Sequence, residues 1–147
     1  MSETTAHEGG CLCGAVRYRA QGAPLRTTVC HCTMCQKRTG SAFGVGAYFK
    51  AEQVSFLGGR LETYEHVSDE SGRWLRFEFC PKCGTQVTWT LEAMPGMRGI
   101  ALGSFDDPKW LQPNRFGWFR SAHPWVRPPE GIEIVQTSAL PPAGRKT

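Results

Sequence analysis

Three cysteines fall within six positions of "CHCTMC", Cys30, Cys32 and Cys35, and four more stand in two pairs, Cys11 and Cys13 in "GGCLCGA" and Cys80 and Cys83 in "FCPKCGT". Thiolates are nucleophiles, redox groups and soft metal ligands, so spacing and flanking residues must decide which chemistry applies. Seven cysteines, an odd number, in a reducing compartment argue against a disulfide scaffold and towards metal or catalysis.

Cys80 and Cys83, spaced Cys-x-x-Cys and followed by Gly84, offer half of a tetrahedral zinc site, the glycine letting the backbone turn its N–H groups towards sulfur. A thioredoxin-type dithiol shares the Cys-Pro-x-Cys spelling, but there the motif opens a helix. Here Gln86 to Thr90 follows with strand alternation, which puts the motif at a hairpin tip and favours zinc. Cys11 and Cys13, two apart on an extended chain, face the same way between Gly10 and Gly14. Either cysteine alone could be a small buried hydrophobe; together with Cys80 and Cys83 they make a closed four-thiolate site of structural type.

Cys30, Cys32 and Cys35 remain. They can hold a second ion and leave its fourth position to water, a substrate thiol or a histidine, as a catalytic zinc requires. His31, in an extended segment, points away from both neighbouring ligands and reads as a supporting or surface residue. His7 lies in a flexible terminus, and His66 and His123 lack a ligand-like neighbour. A short helix from Thr33 to Thr39, capped by Thr33 and closed by Gly40, places Cys35 in its first turn, where the positive helix end lowers a thiol pKa. Lys37 and Arg38 would offset the net negative charge of three thiolates on one zinc; a solvated helix face explains the same pair equally well.

The elements that must position these groups are mostly strands. "AVRYRA", "WLRFEF" and "QVTWT" alternate with period two, and "AFGVGAYF", "VSFL", "LETYEH", "IALG" and "IEIV" do so less cleanly, with 17 glycines and 10 prolines punctuating them. A turn after Asp107, with Pro108 at its first position, is the second helical candidate, and a cap explains Asp106 and Asp107 more cheaply than acid/base chemistry. The expected fold is mainly β: antiparallel sheets with zinc-ribbon-like knuckles and very little helix. One domain is expected over residues 1–147, with a core over about 8–136 and a loose tail "LPPAGRKT".

Composition excludes little but is consistent. Hydrophobic residues make up 40%, and 17 basic against 13 acidic side chains give a net charge of +4, too small and scattered to argue for nucleic acid. "MSETTAHEGG" has no apolar signal region, and no stretch approaches the ~18 apolar residues of a membrane span. A cytoplasmic location is expected.

"GGCLCGAVRY", "CHCTMCQKRTGSAFG", "FCPKCGTQVTW" and "LGSFDDP", in this order over about residues 8–126, resemble the glutathione-dependent formaldehyde-activating enzyme family, which also includes centromere protein V. The resemblance implies a β-rich fold with two zinc ions, a closed one on Cys11, Cys13, Cys80 and Cys83 and an open one on Cys30, Cys32 and Cys35. It also implies condensation of formaldehyde with glutathione to S-hydroxymethylglutathione, a carbon–sulfur lyase reaction in reverse. No motif marks the residues that would grip glutathione; Lys37, Arg38 and the basic residues of "RFGWFRSAHPWV" are candidates, and that aromatic stretch either lines a pocket or, as favoured here, packs Trp118, Phe119 and Trp125 into the core. Two other readings stay open: a zinc-stabilised binding module without catalysis, and a family member acting on another thiol or aldehyde.

Overall fold

The computed structural model describes residues 5–138. Its strands are β1 (Ala6–Gly10), β2 (Arg17–Gln21), β3 (Arg26–Cys30), β4 (Gly44–Lys50), β5 (Val54–Gly58), β6 (Glu62–Val67), β7 (Trp74–Phe79), β8 (Gln86–Leu91), β9 (Met97–Ala101), β10 (Arg115–Gly117) and β11 (Glu133–Ile134), with one α-helix, α1 (Thr33–Thr39), among the described residues. A small sheet has the order β1-β2-β5 and a large one β11-β10-β3-β4-β9-β8-β7-β6. The fold is mainly β, as expected. Pairing is antiparallel except at one edge, where β10 runs parallel to both β3 and β11.

The cleanest alternation gave the cleanest agreement: "WLRFEF" coincides with β7. "IALG" is displaced, because β9 ends at Ala101 and Leu102–Ser104 tightens into a 3-10 turn. β1, β3 and β10 have no sequence counterpart above. β3 carries Arg26, Thr28 and Cys30 on one face and buries Thr27 and Val29 on the other, so its polar face hides the apolar period. His7 is not in a loose terminus: it pairs opposite Ala20 within β1–β2 and stacks on Trp110 with ring centroids 3.6 Å apart. The tail "LPPAGRKT" lies outside the described residues.

The small sheet packs on one face of the large one. Val16, Tyr18 and Ala20 meet Ala47, Phe49, Val87, Ile100 and Phe105 in a core that also contains Cys11 and Cys80. Tyr18 is wholly buried, and its hydroxyl is satisfied by Ser104 Oγ at 2.7 Å. A second, smaller cluster joins Val29, Phe116 and Val126.

Successive side chains of a strand go to opposite faces, so the strands that build the core also build a cleft on the other side. Arg26, Thr28 and Cys30 of β3, Gly46 and Tyr48 of β4, Phe77 of β7 and Trp89 of β8 line a cleft of about 1140 Å³. The sheet curls around it. β10 and β7 are five places apart in the strand order, about 24 Å on a flat sheet, yet Arg120, just past β10, pairs with Glu70 of the β6–β7 turn at 2.6 Å.

Candidate metal centres and the cleft

The closed cluster forms where the β7–β8 hairpin tip meets the turn between β1 and β2. Gly84 adopts φ 78°, the left-handed conformation that lets the tip curl, and its N–H donates to Cys80 O at 2.8 Å. Cys11 Sγ lies 3.6 Å from Cys13 Sγ, and Cys13 Sγ lies 3.9 Å from Cys80 Sγ. All four sulfurs of Cys11, Cys13, Cys80 and Cys83 fall within 4.8 Å of one another. Four thiolates about 2.3 Å from a tetrahedral zinc stand about 3.8 Å apart, so the set fits such an ion. Protein donors already point at sulfur: Val16 N–H reaches Cys11 Sγ at 3.2 Å, and Thr85 Oγ1 lies 3.2 Å from Cys83 Sγ while accepting Leu12 N–H. The Thr85 hydroxyl and backbone hold the Cys83 thiol down to about 5.

The open cluster sits at the end of β3 and the start of α1. Cys30 is the last residue of β3, Cys32 caps α1, and Cys35 lies buried in its first turn. The cap is therefore Cys32 and not Thr33: its sulfur accepts Cys35 N–H at 3.3 Å, the role a serine oxygen normally plays. Gly40 closes the helix in the left-handed conformation, as expected. Cys30 Sγ approaches Cys32 Sγ to 3.4 Å, and the three sulfurs lie within 4.8 Å of one another. Bonds from Cys30 and Cys32, helped by the charge of Arg38, hold the Cys35 thiol well below its ordinary range, whereas its neighbours push the Cys30 thiol up. Three acids this close cannot all ionise without a cation, so the donor set fits a divalent soft metal, with zinc first among them.

Arg38 explains how that charge is held. Its guanidinium stacks on Trp89 at 4.6 Å and Phe77 at 4.9 Å, bonds Gln86 Oε1 and lies 3.7 Å from Cys35 Sγ. Trp89 in turn lies flat on β4 and β9, because Gly46 and Gly99 have no Cβ; one added at Gly46 would stand 2.6 Å from the indole. Trp89 Nε1–H donates to Tyr48 Oη at 3.1 Å. Glycines, indole and guanidinium thus form successive layers under the three cysteines. Of the two cations proposed to balance the thiolates, Arg38 faces them and Lys37 stays exposed at the cleft rim.

The histidines divide differently from the sequence reading. His31 is wholly buried rather than at the surface: its Nδ1–H donates to Gly117 O at 3.1 Å, its ring is packed among Phe43, Phe116 and Phe119, and burial lowers its pKa. His123 lines the cleft. Gln36 donates its two amide protons to His31 O at 2.8 Å and Ser121 O at 3.1 Å, so its Oε1 accepts Nε2–H of His123 at 2.9 Å. Nδ1 is then the basic nitrogen of that ring. Trp118 and Trp125 also line the cleft, Trp125 with 64% of its surface exposed, and only Phe119 of that trio packs into the core. Asp107 caps the turn at Pro108, as expected, and Asp106 pairs with Arg17. Arg26 and Thr28, which the sequence reading did not single out, alternate with Cys30 along β3, and Arg115, one of the basic residues of the C-terminal aromatic stretch, lies opposite Thr28 on β10.

The two clusters occupy different surroundings, since none of Cys11, Cys13, Cys80 and Cys83 lines the large cleft and all of Cys30, Cys32 and Cys35 do. Residues 6–121 match the family model described as glutathione-dependent formaldehyde-activating enzyme. The crystal structure of a Rhodobacter sphaeroides protein, a structural-genomics target, superposes with a TM-score of 0.57 at 20% identity, over 74% of this chain and 98% of that one. That likeness concerns the fold.

Proposed function

The chain belongs to the glutathione-dependent formaldehyde-activating enzyme family, and on that premise we propose that it is a zinc-dependent enzyme of carbon–sulfur lyase type, joining a small thiol such as glutathione to formaldehyde or releasing the two from their adduct. Zinc is assigned to both clusters, two ions per chain. Cys11, Cys13, Cys80 and Cys83 hold the structural one and Cys30, Cys32 and Cys35 the one at which chemistry occurs. The observation that carries this reading is the placement of the three-cysteine set, alone of the two, on the cleft.

Bound zinc supplies the charge that keeps a thiol ionised near neutral pH or polarises an aldehyde oxygen. In the forward direction the thiol sulfur bonds to the formaldehyde carbon, the C=O π pair moves to oxygen, and the thiol proton ends on that oxygen, giving RS–CH2–OH; the lyase direction reverses each change. Among the imidazoles that line the cleft, His66 and His123, His123 has its Nε2–H held by Gln36 and offers Nδ1 to take that proton and return it. Arg38, clamped between ring faces, keeps positive charge beside Cys35. Trp118 and Trp125 give the cleft its apolar wall. No helix among the described residues is long and apolar enough to cross a membrane, and cysteines kept as thiols suit a reducing cytoplasm.

Because thiols add to formaldehyde without help, the test is exchange between formaldehyde, glutathione and adduct followed by NMR, with native protein, Cys30→Ser and Cys35→Ser compared. Native protein is expected to accelerate exchange and both variants to match the uncatalysed rate. Equal rates in all three would remove this substrate pair.

A further inference from the structure

We propose that Arg26 and Arg115 form an anion subsite on the cleft floor that takes the C-terminal carboxylate of a cysteinylglycine-type thiol whose sulfur lies at Cys30, Cys32 and Cys35; this rests on the thiol reading above. Arg26, Thr28 and Cys30 occupy alternate positions of β3 and all line the cleft, and Arg115 stands opposite Thr28 in the β3–β10 register and lines it too. One alternate step along a strand is about 7 Å. From the sulfur of a cysteinylglycine end to its carboxylate is also about 7 Å, one side chain plus one residue of extended chain. A thiol seated at the cluster and lying along β3 therefore brings that carboxylate to the level of Thr28 and Arg115.

Part of the donor capacity waiting there lacks partners. Arg115 gives Nε and Nη2 to Glu133, at 3.0 and 3.4 Å, and Glu133 is not among the cleft-lining residues. Arg115 Nη1 and Thr28 Oγ1 are buried without a hydrogen bond, and the Arg26 side chain makes no hydrogen bond or ion pair with the described residues. Two half-buried guanidiniums within electrostatic reach of each other, with the Glu133 carboxylate near both, leave positive charge that burial makes costly and an anion relieves. The acidic residues that line the cleft, Asp69 and Glu70, belong to the β6–β7 turn, and Glu70 is already held by Arg120. Lys37 is exposed on the rim, where an ion pair contributes little.

The test is calorimetric titration of the zinc-loaded protein with glutathione and with its glycyl C-terminal amide, which differ only in this carboxylate. Native protein is expected to bind glutathione about tenfold more tightly than the amide, as loss of one charge-assisted contact implies, and Arg26→Gln is expected to bind both with the amide's affinity. Arg26→Lys should recover part of the difference. Equal binding of the two ligands by native protein would overturn the subsite and leave the thiol reading standing. Binding of neither would overturn both. An Arg26→Gln protein with native zinc content that still discriminates tenfold would overturn the role of Arg26.

Discussion

The two cysteine clusters use one side-chain type and similar local spacing, yet they differ in what surrounds them. The four-cysteine set ties the β1–β2 turn to a hairpin tip 67 residues on from Cys13, with Cys11 and Cys80 inside the main core. Its polar neighbours are hydrogen-bond donors of the chain itself, Val16 N–H and Thr85 Oγ1. The three-cysteine set is local in sequence, spans a strand end and a helix cap, and looks onto a cleft. Besides the Cys35 N–H that reaches Cys32 Sγ, its polar neighbour is a guanidinium. The difference teaches that thiol count alone does not set the two clusters apart; one is enclosed by the chain and the other faces an open cleft, and on the proposed reading that surrounding separates the structural from the reactive site.

The largest expected effect breaks the first cluster and spares the second. On the proposed assignment Cys83→Ser removes one of four thiolates that hold distant chain segments together through zinc, and structural zinc contributes on the order of 10 kcal/mol to folding in small zinc peptides. That variant is expected to lose its cooperative thermal transition or to aggregate. Cys32→Ser is expected to melt within a few degrees of native protein, because serine caps a helix well, while its zinc content falls from near two to near one per chain. Circular dichroism melting with elemental analysis measures both. Equal destabilisation by the two substitutions would erase the distinction.

A smaller effect sharpens it. Arg38→Met keeps an aliphatic stem on Trp89 and Phe77 but removes the charge beside Cys35, and loss of a supporting group of this kind typically lowers metal affinity about 10–100-fold. Chelator competition is expected to strip zinc earlier from the three-cysteine cluster and at native rates from the other. Equal weakening of both would place Arg38 in general stability.

The smallest effect concerns the brace beside the closed cluster. Arg17 bonds both oxygens of Asp106, at 2.8 Å for the longer contact, and holds the Asp106 carboxyl below its ordinary range. A depressed folded-state pKa means that the pair stabilises above the ordinary carboxylate pKa and that this contribution is lost as pH falls through the folded value. Asp106 is more than half exposed, so the gain is at most about 1 kcal/mol. Urea unfolding of native protein and Asp106→Asn should differ by that amount near neutral pH and converge in acid, with zinc content unchanged.

The sequence alone grouped the cysteines into the two clusters that the structure brings together, because thiol spacing and flanking glycines are local: Cys80 and Cys83 at a hairpin tip, Cys11 and Cys13 between glycines, Cys30, Cys32 and Cys35 beside a short helix. It also marked β7, β8 and α1, whose periods and caps are written within a few residues. The cleft was not legible, since its floor is made from the polar faces of β3 and β10, where polar residues replace the apolar alternation that identifies a strand. Arg38 reads locally as an ordinary basic residue on a short helix; only the approach of β7 and β8, and the two glycines under Trp89, give it a stacked seat against Cys35. His123 acquires a defined basic nitrogen from Gln36, 87 residues earlier. Cysteine spacing is a property of short stretches of chain, whereas the open side of a cluster is defined by contacts between segments far apart in sequence, and those exist only once the sheet has curled and paired.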